Sequence, residues 1–155
     1  MISPDSDLYR EHPDWCLHVL DRKSTESRYQ LVLDLSRKDV CDEIIKRISD
    51  ILASAPITYL KWDMNHHLTE VGSSKLSPDK QREIYHRYVL GLYRILDTIT
   101  TRFPHILLDG CSSGGGRFDL GFCVICHKFG LTIVLMQLND YKYKLEQALY
   151  ILQVL

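Results

Sequence analysis

No run of apolar residues in this 155-residue chain approaches the roughly 20 that a membrane-spanning helix needs. Basic residues are not in excess either: 19 Lys and Arg stand against 20 Asp and Glu, for a formal net charge of -1. A nucleic-acid backbone or an anionic membrane is therefore not an expected partner. The opening stretch Met1 to Asp7 lacks a basic region followed by an apolar one. It does not read as a secretion signal, and a cytoplasmic location is expected. The five cysteines, Cys16, Cys41, Cys111, Cys123 and Cys126, are odd in number and scattered, unlike a disulfide framework, and read as reduced thiols. The isolated histidines (His12, His18, His67, His86, His105) show no metal-ligand spacing, and adjacent His66 and His67 would point to opposite faces of a strand. No metal and no organic cofactor are expected.

What is present is an ordinary globular composition, 45% hydrophobic, long enough for one domain with a real core. Three apolar segments alternate with two helical ones. Gln30-Leu31-Val32-Leu33-Asp34-Leu35 is a β-type run, after which Ser36, with Asp39 three residues on, resembles a capping box. The helix that follows has Val40, Ile44, Ile45, Ile48, Ile51 and Leu52 at helical spacing and stops before Pro56. A second strand is expected over Ile57 to Asp63. Ser77-Pro78 then opens a longer helix whose stripe is Ile84, Tyr88, Val89, Leu92, Ile95, Leu96 and Ile99, ended by Pro104. The third strand, His105 to Asp109, runs into Gly110-Cys111-Ser112-Ser113-Gly114-Gly115-Gly116.

Strand, helix, strand, helix, strand predicts parallel strands, with Asp34, Asp63 and Asp109 at or near their carboxyl ends. That is the catalytic rim of a (β/α)8 barrel, and equally the ligand edge of an open doubly wound sheet. Pattern alone leaves both open. A whole barrel needs roughly 250 residues, so a barrel here is a partial one.

The chemistry gathers on the second strand. Alternation puts Tyr59, Lys61 and Asp63 on one face and Leu60 and Trp62 on the other, with Asn65 joining the first set if the strand continues. A carboxylate nucleophile must stay ionised, and an ammonium two residues away on the same face favours that form. A strand-end ion pair with an exposed asparagine explains the same pattern equally well. The glycine run reads as a surface turn or as a phosphate cradle, but no P-loop lysine follows it.

Lys61-Trp62-Asp63-Met64-Asn65, preceded by Gln30 to Arg37 and followed by Gly110-Cys111-Ser112 and Gly116-Arg117-Phe118-Asp119, resembles bacterial α-galactosidases of glycoside hydrolase family 36. Ser3-Pro4-Asp5-Ser6-Asp7-Leu8-Tyr9 and His12-Pro13-Asp14-Trp15 belong to the same pattern, which is near continuous from residue 2 to 121. The resemblance implies a partial TIM barrel and retaining hydrolysis of terminal α-D-galactosyl residues, as in melibiose or raffinose. It makes Asp63 the nucleophile and places Arg28, Lys61, Asn65, Cys111 and Gly114 on galactose. A galactose-containing oligosaccharide is the expected partner, and intact relatives are expected to be homo-oligomers. A transferase relative, or a non-catalytic remnant with weak sugar binding, is the alternative. The sequence departs from the pattern at Ser113, which replaces a glycine, at His66, which replaces an arginine, and at Asp109, which replaces a longer acid.

The family's acid/base aspartate lies in a later segment, W-T-S-D-N-T-D-A-I-E-R-L, and nothing after Gly121 resembles it in the translated sequence. Among the translated residues, Asp34, Asp109 and Asp119 are the carboxylates left to consider for the second role. Read from the third base of each codon, however, the degenerate codons from Lys128 to Tyr141 permit I-W-T-N-D-S-T-D-A-I-E-R-L in register. We expect residues 1–121 to be a partial catalytic barrel and 122–155 an out-of-frame tail, with the acid/base codon straddling Thr132 and Ile133. The C-x-x-C-H match at Cys123, Cys126 and His127 is then an accident of frame, and the tail's Leu145, Ala148, Leu149 and Leu152 carry at most a short helix. The pattern also implies that an upstream strand, two galactose-binding aspartates and an N-terminal β domain precede Met1 in intact relatives.

Overall fold

The computed structural model describes residues 1–111, 120–125 and 128–129. Ser113, Gly114, Asp119, Cys126, His127 and the stretch 130–155 lie outside the described residues, as does the expected tail helix. The chain divides into two compact units, Met1–Thr58 with His66–Ile106, and Tyr59–Asn65 with Leu107–Leu155. Its elements are α1 (Asp7–Glu11), α2 (Lys38–Ser54), β1 (Tyr59–Asp63), α3 (Ile84–Arg102), β2 (Leu107–Cys111), α4 (Leu120–Ile125) and β3 (Lys128–Phe129). Short 3-10 turns at Pro13–Trp15 and Pro78–Glu83 complete them.

In the first unit, α2 and α3 pack on each other through the stripes their spacing predicts. Val40, Cys41, Ile45 and Leu52 are buried on α2, and Ile84, Tyr88, Leu92, Ile95, Leu96 and Ile99 on α3. Ile51, placed on that face from spacing, is instead 60% exposed, because the face is narrower than the run of isoleucines. Links from Cys41 to Gly91, Asp42 to Arg94 and Ser49 to Arg102 advance in the same order along both helices. The two helices therefore run parallel, as successive helices of alternating β/α units must.

Gly91 makes their approach possible: a Cβ there would lie 1.9 Å from the Leu35 carbonyl oxygen, which also accepts from Cys41 Sγ at 3.2 Å. Alanine is the better helix former by roughly 0.5–1 kcal/mol. Gly91→Ala should nevertheless destabilise the chain by about 1–3 kcal/mol, since a backbone carbonyl cannot swing aside. The midpoint of urea unfolding measures it, and an unchanged or raised midpoint contradicts the packing. Cys16 and Cys41 are free and buried, and burial pushes both thiols up to about 11. Neither is a thiolate at neutral pH.

Three local expectations change. Residues 30–33 lie in isolated antiparallel bridges rather than in a strand of the parallel sheet, and Leu35 is already in a turn: Leu31 exchanges two hydrogen bonds with Ile2, and Val32 and Asp34 bond Leu17 and Trp15. The nearby N-terminal segment supplies the partners this run needs. Ser36 does not cap α2, because its hydroxyl donates to Asp34 Oδ1 at 2.5 Å, and Arg37 holds the cap position. Ser77-Pro78 opens a 3-10 turn, and α3 itself begins six residues later at Ile84.

In the second unit, β1, β2 and β3 form a parallel sheet in that order. The third expected strand comes two residues late. Ile106 still closes a turn onto Phe103, so the strand starts at Leu107 and reaches Cys111. Parallel β with intervening helices matches the partial α/β barrel reading.

Candidate active site

β1 alternates as its sequence dictates: Tyr59, Lys61 and Asp63 are exposed, Leu60 and Trp62 half-buried. Its register with β2 pairs Tyr59 with Leu107, Lys61 with Asp109 and Asp63 with Cys111. Paired residues on neighbouring strands share a face, so Lys61, Asp63, Asp109 and Cys111 stand together at the carboxyl end of two parallel strands. Beyond the strand, Met64 N–H donates to the Cys111 carbonyl at 2.8 Å, carrying the ladder one residue further. Met64 is buried and Asn65 half-buried, continuing the alternation past Asp63.

The row has a polar floor. Tyr59 hydroxyl donates to Asp109 Oδ2 at 2.5 Å, a bond that raises the Tyr59 pKa by favouring the protonated phenol beside the carboxylate. The other oxygen, Asp109 Oδ1, is buried with no hydrogen-bond partner among the described residues. Leaving such an acceptor unsatisfied costs about 1–3 kcal/mol. On the opposite face, a Cβ at Gly110 would fall 2.2 Å from Phe122 Cε1, so only glycine admits the buried Phe122 ring of α4.

The remaining sequence-derived positions lie in the first unit. Arg28 is exposed and sits in a tight turn closed by Ser27 and Gln30, where Arg28 (φ 54°) and Tyr29 (φ 58°) are both left-handed. This is a mirror-image hairpin turn, a conformation normally left to Asn and Gly. Asp34 is fully buried, accepting from Ser36 N–H at 3.0 Å, from Ser36 hydroxyl and from Ser73 hydroxyl. It is a structural acceptor there, not a rim carboxylate. His66 is buried, its ring nitrogens against the Thr25 and His67 carbonyl oxygens at 3.1 and 2.5 Å, while His67 is exposed. A cavity of about 700 Å³ in this unit is lined by Tyr9, Cys16, His18, Leu31, Gly72 and Gln81 among others. Its one carboxylate, Asp14, is already held by Arg37 at 2.7 Å. Asp63 and Lys61 are on β1 and not among the residues that line this space. Among the described residues no group of His, Cys, Asp and Glu could hold a metal, and no helix is long and apolar enough to cross a membrane.

Sequence reading missed the Tyr59–Asp109 bond and the Gly110–Phe122 contact. The first depends on how β2 registers with β1 and the second on the packing of α4 against the end of β2, and the third strand was expected to stop at Asp109.

An exposed carboxylate and a lysine share one face of a parallel strand, with a cysteine level with the carboxylate on the next, at the strand ends where an α/β barrel carries its functional groups. The chain belongs to the melibiase family, whose model matches residues 1–130. It is 69% identical over 121 residues to the α-galactosidase AgaA of Geobacillus stearothermophilus, covering 78% of this chain and 17% of that protein. A variant of AgaA solved with raffinose superposes at a TM-score of 0.79, with 64% identity over 83% of this chain and 18% of that one. Another, solved with stachyose, gives 0.79 and 63% over the same share of this chain and 18% of its own. The chain thus spans about a sixth of the length of these relatives.

Proposed function

We propose that this chain carries part of the active site of a retaining α-galactosidase that acts on terminal α-galactosides of the raffinose or melibiose type in the cytoplasm. The observation that carries the reading is the register of Asp63 with Cys111, with Lys61 one pleat below, in a family whose relatives are α-galactosidases. Asp63 would attack the anomeric carbon and form a β-galactosyl ester, releasing the leaving group. Water would then cleave that ester, with net retention. Lys61, Asn65, Cys111, Arg28 and Gly114 would hold the galactose hydroxyls. No metal or organic cofactor enters these steps.

Retention needs a second carboxyl group about 5–5.5 Å from the first, as acid and then base. Asp34 is fully buried and accepts from the Ser36 and Ser73 hydroxyls, and Asp109 is buried and accepts from Tyr59 through Oδ2, so neither is exposed at the end of β1 as Asp63 is. This supports placing the acid/base in the shifted reading frame, across the codons of Thr132 and Ile133, with 122–155 as an out-of-frame tail. The coverage of about a sixth of AgaA favours the second reading for these 155 residues alone: a sugar-binding remnant without turnover. Sequencing the gene and assaying both products tests the proposal. The translated 155 residues should hydrolyse no aryl α-galactoside detectably, while the frame-restored full-length product should do so. The absence of the hidden motif from the shifted frame would remove the frame-slip proposal.

A further inference from the structure

We propose that Asp109 is the positioning residue for Lys61, its unpartnered Oδ1 receiving the lysine ammonium so that the cation is held one pleat below Asp63. This rests on the glycosidase reading of Asp63 and adds a role for a residue that reading leaves idle. Lys61 and Asp109 are register partners on adjacent parallel strands, so their side chains leave one face from Cα atoms about 5 Å apart. Tyr59, one pleat earlier, occupies Oδ2 at 2.5 Å and fixes the plane of the carboxylate. Oδ1 stays buried with no donor among the described residues. Buried carboxylate oxygens almost always have a donor, so an empty one points to a group that arrives.

The groups placed on this face by register are Tyr59, Lys61 and Asp63 on β1, Asp109 and Cys111 on β2, and Lys128, the partner of Asp109 on β3. Lys128 falls in the segment read as an out-of-frame tail, so among residues 1–121 Lys61 is the cation of this row. Tyr59 is already engaged, Asp63 is an acceptor, and a thiol is a weak donor. Lys61 is exposed, forms no salt bridge among the described residues, and has a four-carbon stem that spans the gap. The result is a row of alternating partners: phenol, carboxylate, ammonium, carboxylate. Anchored through one N–H, the ammonium keeps two more for Asp63 and a sugar hydroxyl.

The contact can be read without turnover, as a scalar coupling across the hydrogen bond from Lys61 Nζ to the Asp109 carboxylate. It would be sought in the labelled 155-residue chain and in a full-length chimera carrying residues 1–121 within the Geobacillus relative. The coupling is expected in the folded protein; a folded spectrum without it overturns the proposal. In the chimera, Asp109→Asn should lower kcat for an aryl α-galactoside by about 10- to 100-fold. KM should move less than about threefold, and Asp109→Glu should recover most of the loss. In a Lys61→Met background Asp109→Asn should cost nothing further. An equal loss there would make Asp109 merely structural and overturn the inference. A coupled but inactive chimera would sink the glycosidase reading and leave the pairing. A missing coupling beside a turnover abolished by Asp63→Asn would sink the pairing alone.

Discussion

Asp63→Asn in the frame-restored, full-length enzyme should lower turnover of an aryl α-galactoside by at least on the order of 10⁴, the scale of losing a covalent nucleophile. The substitution keeps the size of the side chain and its place at the end of β1, level with Cys111, so folding and substrate affinity should change little. What it removes is the oxygen anion that bonds to the anomeric carbon, and an amide cannot replace it. A companion Asp63→Ala variant separates nucleophile from scaffold. Azide admitted into the vacated space should restore turnover and release a galactosyl azide of inverted configuration. Retained activity in Asp63→Asn, or no azide product in Asp63→Ala with the protein folded, would assign the carboxylate a positional role only.

Arg37→Ala should damage stability more than any other change to an ion pair among the described residues. The guanidinium is almost fully buried and bonds Asp14 and Asp39, each at 2.7 Å, together with the Asp14 carbonyl at 2.9 Å. It also lies 5.9 Å from the Trp15 ring, on which His12 stacks at 4.0 Å. Removing a buried charge from its partners typically costs 3–5 kcal/mol. Asp14 and Asp39 are themselves about half exposed, at 55% and 50%, and water takes over part of the role. A loss of about 2–3 kcal/mol is therefore expected in urea unfolding. The pair also sets the acid limb. Hydrogen bonding to Arg37 lowers Asp39 to about 2 and lowers Asp14 as well, whereas unfolded aspartate titrates near 3.9. Depressed folded values mean that this stabilisation is complete above about pH 4 and disappears as the pH falls toward 2. The Arg37→Ala protein should lose stability less steeply across that window, and equal slopes in both proteins would contradict the pairing.

Much of the architecture was legible because it is written in period. The stripe from Ile84 to Ile99 on α3 and the alternation of Tyr59, Lys61 and Asp63 on β1 follow from backbone geometry alone. What period cannot supply is pairing. Residues 30–35 have the composition of a sheet strand, yet their hydrogen bonds went to Ile2 and residues 15–17, a choice made by neighbours and not by propensity. Asp34 looked like a rim acid for the same reason, and only the positions of Ser36 and Ser73 show that it is occupied. The site was legible where its residues sit on one strand. It became illegible where a partner comes from the next, as with Tyr59 and Asp109. The roles of Arg28 and Gly114 came from resemblance, not from period.

The turn at Arg28 and Tyr29 bears on how such a protein could be improved. Left-handed backbone at a non-glycine residue costs roughly 1–2 kcal/mol, and here two successive large side chains adopt it. Any engineering effort scored on melting temperature would favour Asn-Gly at these two places, and the score would rise. If the arginine is needed by the sugar, that gain would delete the residue the protein tolerates distortion to present. Thermostability libraries of this family should therefore leave those two codons untouched.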